Sequence, residues 1–253
     1  MTHTGEPALL TPSRRATANV DRSFFGGDWG RWTFLQRSHM TSRILFLTGM
    51  TPDRRIFERL IPLLPTAVVI DWIRPKRYES ISSYAHRLGL TIPEDGPTVV
   101  CGVSFGGIVA RELAYCLNAK ACVLVSSERS PREMPPWFRV FRMLAPLPAE
   151  AAMNVTGIFA SYWPRQLKTR STWRLTKLGG PSGEWHRWAS AAVLSWKPSA
   201  GADRIPLFQI HGDRDLTFPI RYTGADTVIH GGGHVLPLSH SEEIAEKLLE
   251  IAA

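Results

Sequence analysis

Three positions in this chain carry the residue types of nucleophilic acyl chemistry, and each falls just past an apolar run that reads as a strand. Gly102-Val103-Ser104-Phe105-Gly106-Gly107 follows Thr98-Val99-Val100-Cys101 and opens a helical pattern from Gly106 to Leu117. Gly-x-Ser-x-Gly alone is weak, since it should arise by chance in roughly one protein in ten of this length. The strand–turn–helix setting is what gives it meaning. A nucleophilic hydroxyl must stand on a sharp turn to clear the sheet, and only small residues on both sides let strand and helix approach that closely. Phe105 then has its backbone N–H at a helix N-terminus, where the dipole favours a developing oxyanion.

A serine needs a base, and the base needs an acid to orient it. Asp215 follows the run Pro206 to His211 through Gly212-Asp213-Arg214, with Asp213 two residues earlier as a competitor. His234 follows Thr227-Val228-Ile229-His230 in Gly231-Gly232-Gly233-His234. The order Ser104, Asp215, His234 brings three distant positions to one sheet edge. His211 reads as structural, His86 as a surface residue, and His230 and His240 lack the Gly-Gly-His turn. No helical His pair or Cys/His spacing suggests a metal site, and the chemistry calls for no organic cofactor.

The elements that must position these residues alternate from Arg43 onward. Strands are expected at Ile44 to Thr48, Ala67 to Ile70, Thr98 to Cys101, Ala121 to Val125, Pro206 to His211 and Thr227 to His230. Helices are expected from Pro52 through Leu64, Ser80 to Leu88, Gly106 to Leu117 and Glu242 to Ile251. Continuous apolar strands separated by helical patterns predict an α/β fold: a mostly parallel sheet of about six strands, covered on both faces. Ligands then bind beyond the carboxyl ends of the strands.

Two segments break the pattern. Residues 1–39 show no sustained period of 2 or 3.6, and they read as a disordered or spurious extension, with Met40 as an alternative start. Glu6, Asp21 and Asp28 argue against a transit peptide. Residues 128–203 interrupt the alternation with helical patterns at Trp137 to Leu144, Glu150 to Phe159, Arg165 to Leu178 and Glu184 to Leu194. A helical insertion at the ligand edge is a cap or lid candidate. Its tryptophans, among them those at 137, 163, 173, 185 and 196, are expected mainly to hold it onto the sheet, with one or two lining a substrate pocket.

These pieces resemble the α/β-hydrolase superfamily from Arg43 to Ala253, on Leu47-Thr48-Gly49-Met50, the Gly102–Gly107 turn, His211-Gly212-Asp213-Arg214-Asp215 and Gly232-Gly233-His234. The resemblance implies that the loop after the first strand supplies a second oxyanion N–H, here from Met50, to join Phe105. Thr48 stands where the family usually has His, but a backbone donor needs no particular side chain. The family's Gly-x-x-Asp spacing selects Asp215 over Asp213. Glu128 is the position of the acid in members where it has moved. Gly49 to Phe57 also looks like a Gly-Met-x-x-Asp-x-Arg-x-Phe variant found in compact members. The expected activity is a serine esterase working through Ser104, His234 and Asp215. Thioesterase or acyltransferase chemistry would use the same residues, and a binding protein with little turnover is the non-enzymatic alternative.

Composition fits this reading. The chain has 253 residues, 44% hydrophobic and 21% charged, enough for one substantial domain. No run of about 18 apolar residues crosses a membrane, and the N-terminus lacks the apolar stretch of a secretory signal. Three scattered cysteines, 101, 116 and 122, read as reduced core thiols, so a cytoplasmic location is expected. The formal charge is +8, and residues 128–205 hold twelve Lys/Arg against five Asp/Glu. Without a nucleic-acid motif this excess implies no nucleic-acid partner. It reads either as a solvated, Arg-rich surface that faces water or pairs with acids of the sheet domain, or as a feature that favours a small ester or acyl substrate with an anionic group remote from the scissile bond.

Overall fold

A computed structural model describes residues 42–136, 138 and 183–253. The expectations for residues 1–39, and for the helical patterns over Trp137 to Leu144, Glu150 to Phe159 and Arg165 to Leu178, lie outside those residues. So does most of the basic excess.

Six strands form one sheet: β1 (Arg43–Leu47), β2 (Ala67–Val69), β3 (Thr98–Val103), β4 (Ala121–Val125), β5 (Leu207–Gly212) and β6 (Thr227–Ile229). Their order is β2-β1-β3-β4-β5-β6, and every pairing is parallel. Around the sheet lie the helices α1 (Ile81–Gly89), α2 (Phe105–Cys116), α3 (Gly183–Ser195), α4 (Leu236–Ser239) and α5 (Ser241–Ala252). Parallel strands covered on both faces must be apolar throughout, and β3 and β4 are buried at every residue.

The two-residue alternation of β1 divides the core. Leu45 and Leu47 face α1, α2 and α3, whereas Ile44 and Phe46 face Phe57, Leu60 and the α5 residues Ile244 and Leu248. Each fully buried Leu, Ile or Phe contributes roughly 1.5–3 kcal/mol, so this double-sided core holds the strand ends rigidly. The chain moves outward from β1 to β2 and then crosses back to β3. The strand order therefore reverses between β1 and β3, and their carboxyl ends flank a crevice.

The helix expected from Pro52 is instead two 3-10 turns, Arg54–Phe57 and Ile61–Leu63. Asp53 starts the first by accepting from Arg55 N–H. Pro62 and Pro65 then lack the N–H groups a longer helix needs, and Leu64, which precedes Pro65, leaves helical angles at φ −128° and ψ 96°. The apolar spacing still serves, since Ile56, Phe57, Leu60 and Leu64 are all buried. Cys101 and Cys122 are buried as expected, but Cys116 is exposed because it falls on the solvent side of the last turn of α2.

The pattern at Glu184 to Leu194 is realised as α3. The Trp188 indole donates to the Glu79 carbonyl (2.9 Å), and the Trp196 indole, just beyond α3, donates to Glu112 Oε1 (3.0 Å). These bonds fasten this end of the insertion to the sheet layer. Among the described residues no helix is long and apolar enough to cross a membrane.

Candidate active site

Ser104 lies between β3 and α2 with φ 54° and ψ −125°, a conformation that L side chains rarely adopt. Its neighbours have to be glycine. A Cβ on Gly102 would lie 2.2 Å from Gly106 O, and one on Gly106 would lie 2.1 Å from Thr48 O. The turn is pinned by Ser104 N–H to Val125 O (3.0 Å) and by the Ser127 hydroxyl to Ser104 O (2.7 Å).

His234 reaches Ser104 from the loop after β6. Its Nε2 is 2.9 Å from Ser104 Oγ, and its Nδ1 is 2.8 Å from Asp215 Oδ2. An ionised carboxylate only accepts, so Nδ1 carries hydrogen and Nε2 offers its lone pair to the hydroxyl. The loop delivering His234 needs its glycines too. Gly231 has φ +76°, and a Cβ on Gly212 would lie 2.2 Å from Gly232 O.

Asp215 is buried, and its Oδ1 accepts from the N–H groups of Thr217 (2.8 Å) and Phe218 (3.0 Å). Burial alone would push its carboxyl up. Electrostatic attraction to the His234 imidazole, hydrogen bonds from His211 and His234 and the Phe218 N–H outweigh that and hold it well below the usual carboxylate range. The residues expected to form one constellation, Ser104, Asp215 and His234, are thus brought together.

Neither competing acid has a hydrogen bond to His234. Asp213 accepts from Gly231 N–H (2.8 Å) and sits 3.1 Å from His230 Nδ1. Glu128 is fully buried with both carboxyl oxygens unpartnered among the described residues. Burial first, then the charges of Glu133 and Asp215, push its carboxyl up to about 9, so it is neutral at pH 7. His211 is buried with Nε2 2.6 Å from Phe218 O, which braces the Asp215 turn, and His86 is exposed.

Phe105 and Met50, the residues expected to offer backbone N–H groups, belong to the two segments that meet at the serine turn. Phe105 is the first residue of α2 and has no intrahelical acceptor. Gly49 packs on the serine, since a Cβ there would sit 3.6 Å from Ser104 Cβ, and this sets Met50 beside the crevice. Met50 N–H enters none of the loop's backbone hydrogen bonds among the described residues. Phe218 stands edge-on to His234, with ring centroids 5.5 Å apart.

Residues 44–247 match the model of the alpha/beta hydrolase family. The chain belongs to that family. No curated protein matches it. Solved structures share its fold: an esterase from Thermogutta terrifontis is 20% identical with a TM-score of 0.57, covering 84% of this chain and 91% of that one. MenH from S. aureus is 16% identical with a TM-score of 0.61, covering 83% and 93%. A hydrolase from Pseudomonas aeruginosa is 13% identical with a TM-score of 0.61, covering 83% and 89%.

Within this alpha/beta hydrolase, sequence reasoning missed what holds the loop after β1. Thr48 Oγ1 accepts from the Trp72 indole at 2.7 Å, and the Met50 carbonyl accepts from the Trp185 indole at 2.7 Å. Neither tryptophan stands at a motif position. The replacement of the family's His by a small hydroxyl residue at Thr48 was the one available hint that another side chain enters there.

Proposed function

We propose that this alpha/beta hydrolase is a serine esterase that cleaves a carboxylic ester through an acyl-enzyme. The observation that carries the reading is His234, whose two ring nitrogens lie 2.9 Å from the Ser104 hydroxyl and 2.8 Å from the Asp215 carboxylate. His234 Nε2 takes the proton of Ser104 as Oγ attacks the ester carbonyl. Asp215 keeps the imidazole in the tautomer that can do so and stabilises the imidazolium that forms.

The tetrahedral oxyanion is received by the N–H groups of Met50 and Phe105, which are in place before charge develops. Collapse breaks the bond to the leaving alkoxide, which takes the proton from His234 and departs as the alcohol. Water then attacks the acyl-serine carbonyl, giving one proton to Nε2; the bond from the carbonyl to Ser104 Oγ breaks, Oγ takes that proton back, and the acid leaves. A small-molecule ester fits this chemistry, and the reaction is expected in the cytoplasm.

The test is fluorophosphonate labelling together with p-nitrophenyl ester turnover in the wild type and in Ser104→Ala. Labelling should be confined to Ser104, and the variant should lose on the order of 10⁴–10⁶ in rate with its melting curve intact. Turnover within about tenfold of wild type would refute the mechanism.

A further inference from the structure

Trp185 touches both residues that border the serine as backbone donors, and no role in the reaction above accounts for it. Its indole N–H donates to the Met50 carbonyl at 2.7 Å, and its ring packs edge-on against Phe105 with centroids 5.9 Å apart. From these contacts we infer that Trp185 is a positioning residue for the oxyanion site, holding the Met50 peptide so that its N–H is aimed before the substrate arrives. This rests on the reading of Met50 and Phe105 as oxyanion donors.

The need for such a brace follows from the loop itself. β1 ends at Leu47, and residues 48–53 form neither helix nor strand. Gly49 has no side chain to restrict its angles, so the direction of the Met50 N–H is not set by regular structure. Two indole groups supply what the backbone lacks, Trp72 on Thr48 Oγ1 and Trp185 on Met50 O. Asp53 N–H to Thr51 O (2.8 Å) closes the far side.

A carbonyl fixed at 2.7 Å restrains the ψ angle of Met50, and through the chain the peptide on its other side. Oxyanion donors stabilise a transition state only when they are held 2.7–3.1 Å from the place where charge appears. Freedom at this peptide therefore acts on the chemical step rather than on substrate binding.

Trp185 is itself rigid. It is buried, and its ring lies 5.0 Å from Trp72 and 5.2 Å from Trp188. It belongs to α3, whose first turn is tied to the sheet domain by Glu184 and Arg74 at 2.9 Å. The helix that ends the insertion therefore sets the donor geometry from outside the family's sequence motifs.

Trp188 provides a matched control. It lies on the same helix and in the same ring cluster, and it also donates an indole bond to a carbonyl, but that carbonyl is Glu79 O. Trp185→Phe keeps an aromatic ring and deletes the N–H. Its kcat should fall about 10- to 100-fold, less than the 10²–10³ lost with a whole donor, while KM stays within about threefold. Affinity for an aryl boronic acid, which forms a tetrahedral anionic adduct with the serine, should fall in parallel with kcat/KM. Trp188→Phe should keep kcat within about twofold.

Equal losses in the two variants, a Trp185→Phe within twofold of wild type, or a rise in KM with kcat unchanged would each overturn the assignment. Should Trp185→Phe not fold, the wild-type indole ¹⁵N–H resonance of Trp185 decides. It should move on adding the boronic acid while that of Trp188 stays, and the reverse overturns the inference. Ser104→Ala separates the two levels. If that variant is inactive and Trp185→Phe is not impaired, positioning fails alone; if Ser104→Ala keeps turnover, the catalytic reading fails first.

Discussion

Glu128→Gln should stabilise this hydrolase at neutral pH and leave its turnover nearly intact. The Glu128 carboxyl is fully buried, has no hydrogen-bond partner among the described residues, and is pushed up to about 9 from an ordinary 4.5. Because the folded value lies above the unfolded one, its favourable contribution is fully present below about pH 4.5 and is lost as pH rises towards 9. Each pH unit in that window costs about 1.36 kcal/mol, so the fold gives up about 3 kcal/mol between pH 4.5 and pH 7 to keep this acid protonated. Glutamine has the same shape and no proton to lose, so the variant escapes that cost. Urea unfolding at pH 7 should show a gain on the order of 3 kcal/mol, shrinking to under about 1 kcal/mol at pH 5. Thermal melting at pH 7 should rise by roughly 5–10 °C. A gain that is equal at both pH values, or a loss at pH 7, would refute the linkage argument. Turnover discriminates a second point: if Glu128 rather than Asp215 oriented His234, the glutamine variant would lose most of its activity.

Asp215→Asn should cost about 10⁴ in kcat, because the amide cannot hold the His234 tautomer that Asp215 Oδ2 holds at 2.8 Å. Asp213→Asn should cost less than about tenfold, since its partners are Gly231 N–H and His230, and steady-state ester kinetics giving the reverse ranking would move the acid. Gly106→Ala would force a Cβ within 2.1 Å of Thr48 O, driving apart β1 and the serine turn. The expected cost is about 1–3 kcal/mol in urea unfolding with most ester turnover lost; a fully active, equally stable variant would show that the close approach is not required.

The parts of this molecule legible in the sequence were those in which one residue type answers one local demand. Val99 to Cys101 reads as a strand because both faces of β3 are buried, and Gly102 and Gly106 are readable because a Cβ at either would overlap backbone atoms. The helix expected over Ser80 to Leu88 is realised as Ile81–Gly89, with Ser80 just before it accepting from Ser83 N–H. The helix expected after Pro52 is not, because its apolar spacing is real but Pro62 cannot donate back along a helix and Pro65 follows the end of the second turn, so two 3-10 turns replace the helix without changing which side chains face the core. The choice between Asp213 and Asp215 needed a motif, since both follow β5 closely and only the fold shows which of them faces His234. Trp185 was illegible for a different reason. Its partner is a main-chain carbonyl 135 positions away, and a backbone acceptor leaves no trace in the identity of the residue that carries it. Met50 could be almost any residue and still receive that bond, so the support of a backbone donor is where sequence motifs carry least information and where coordinates add most.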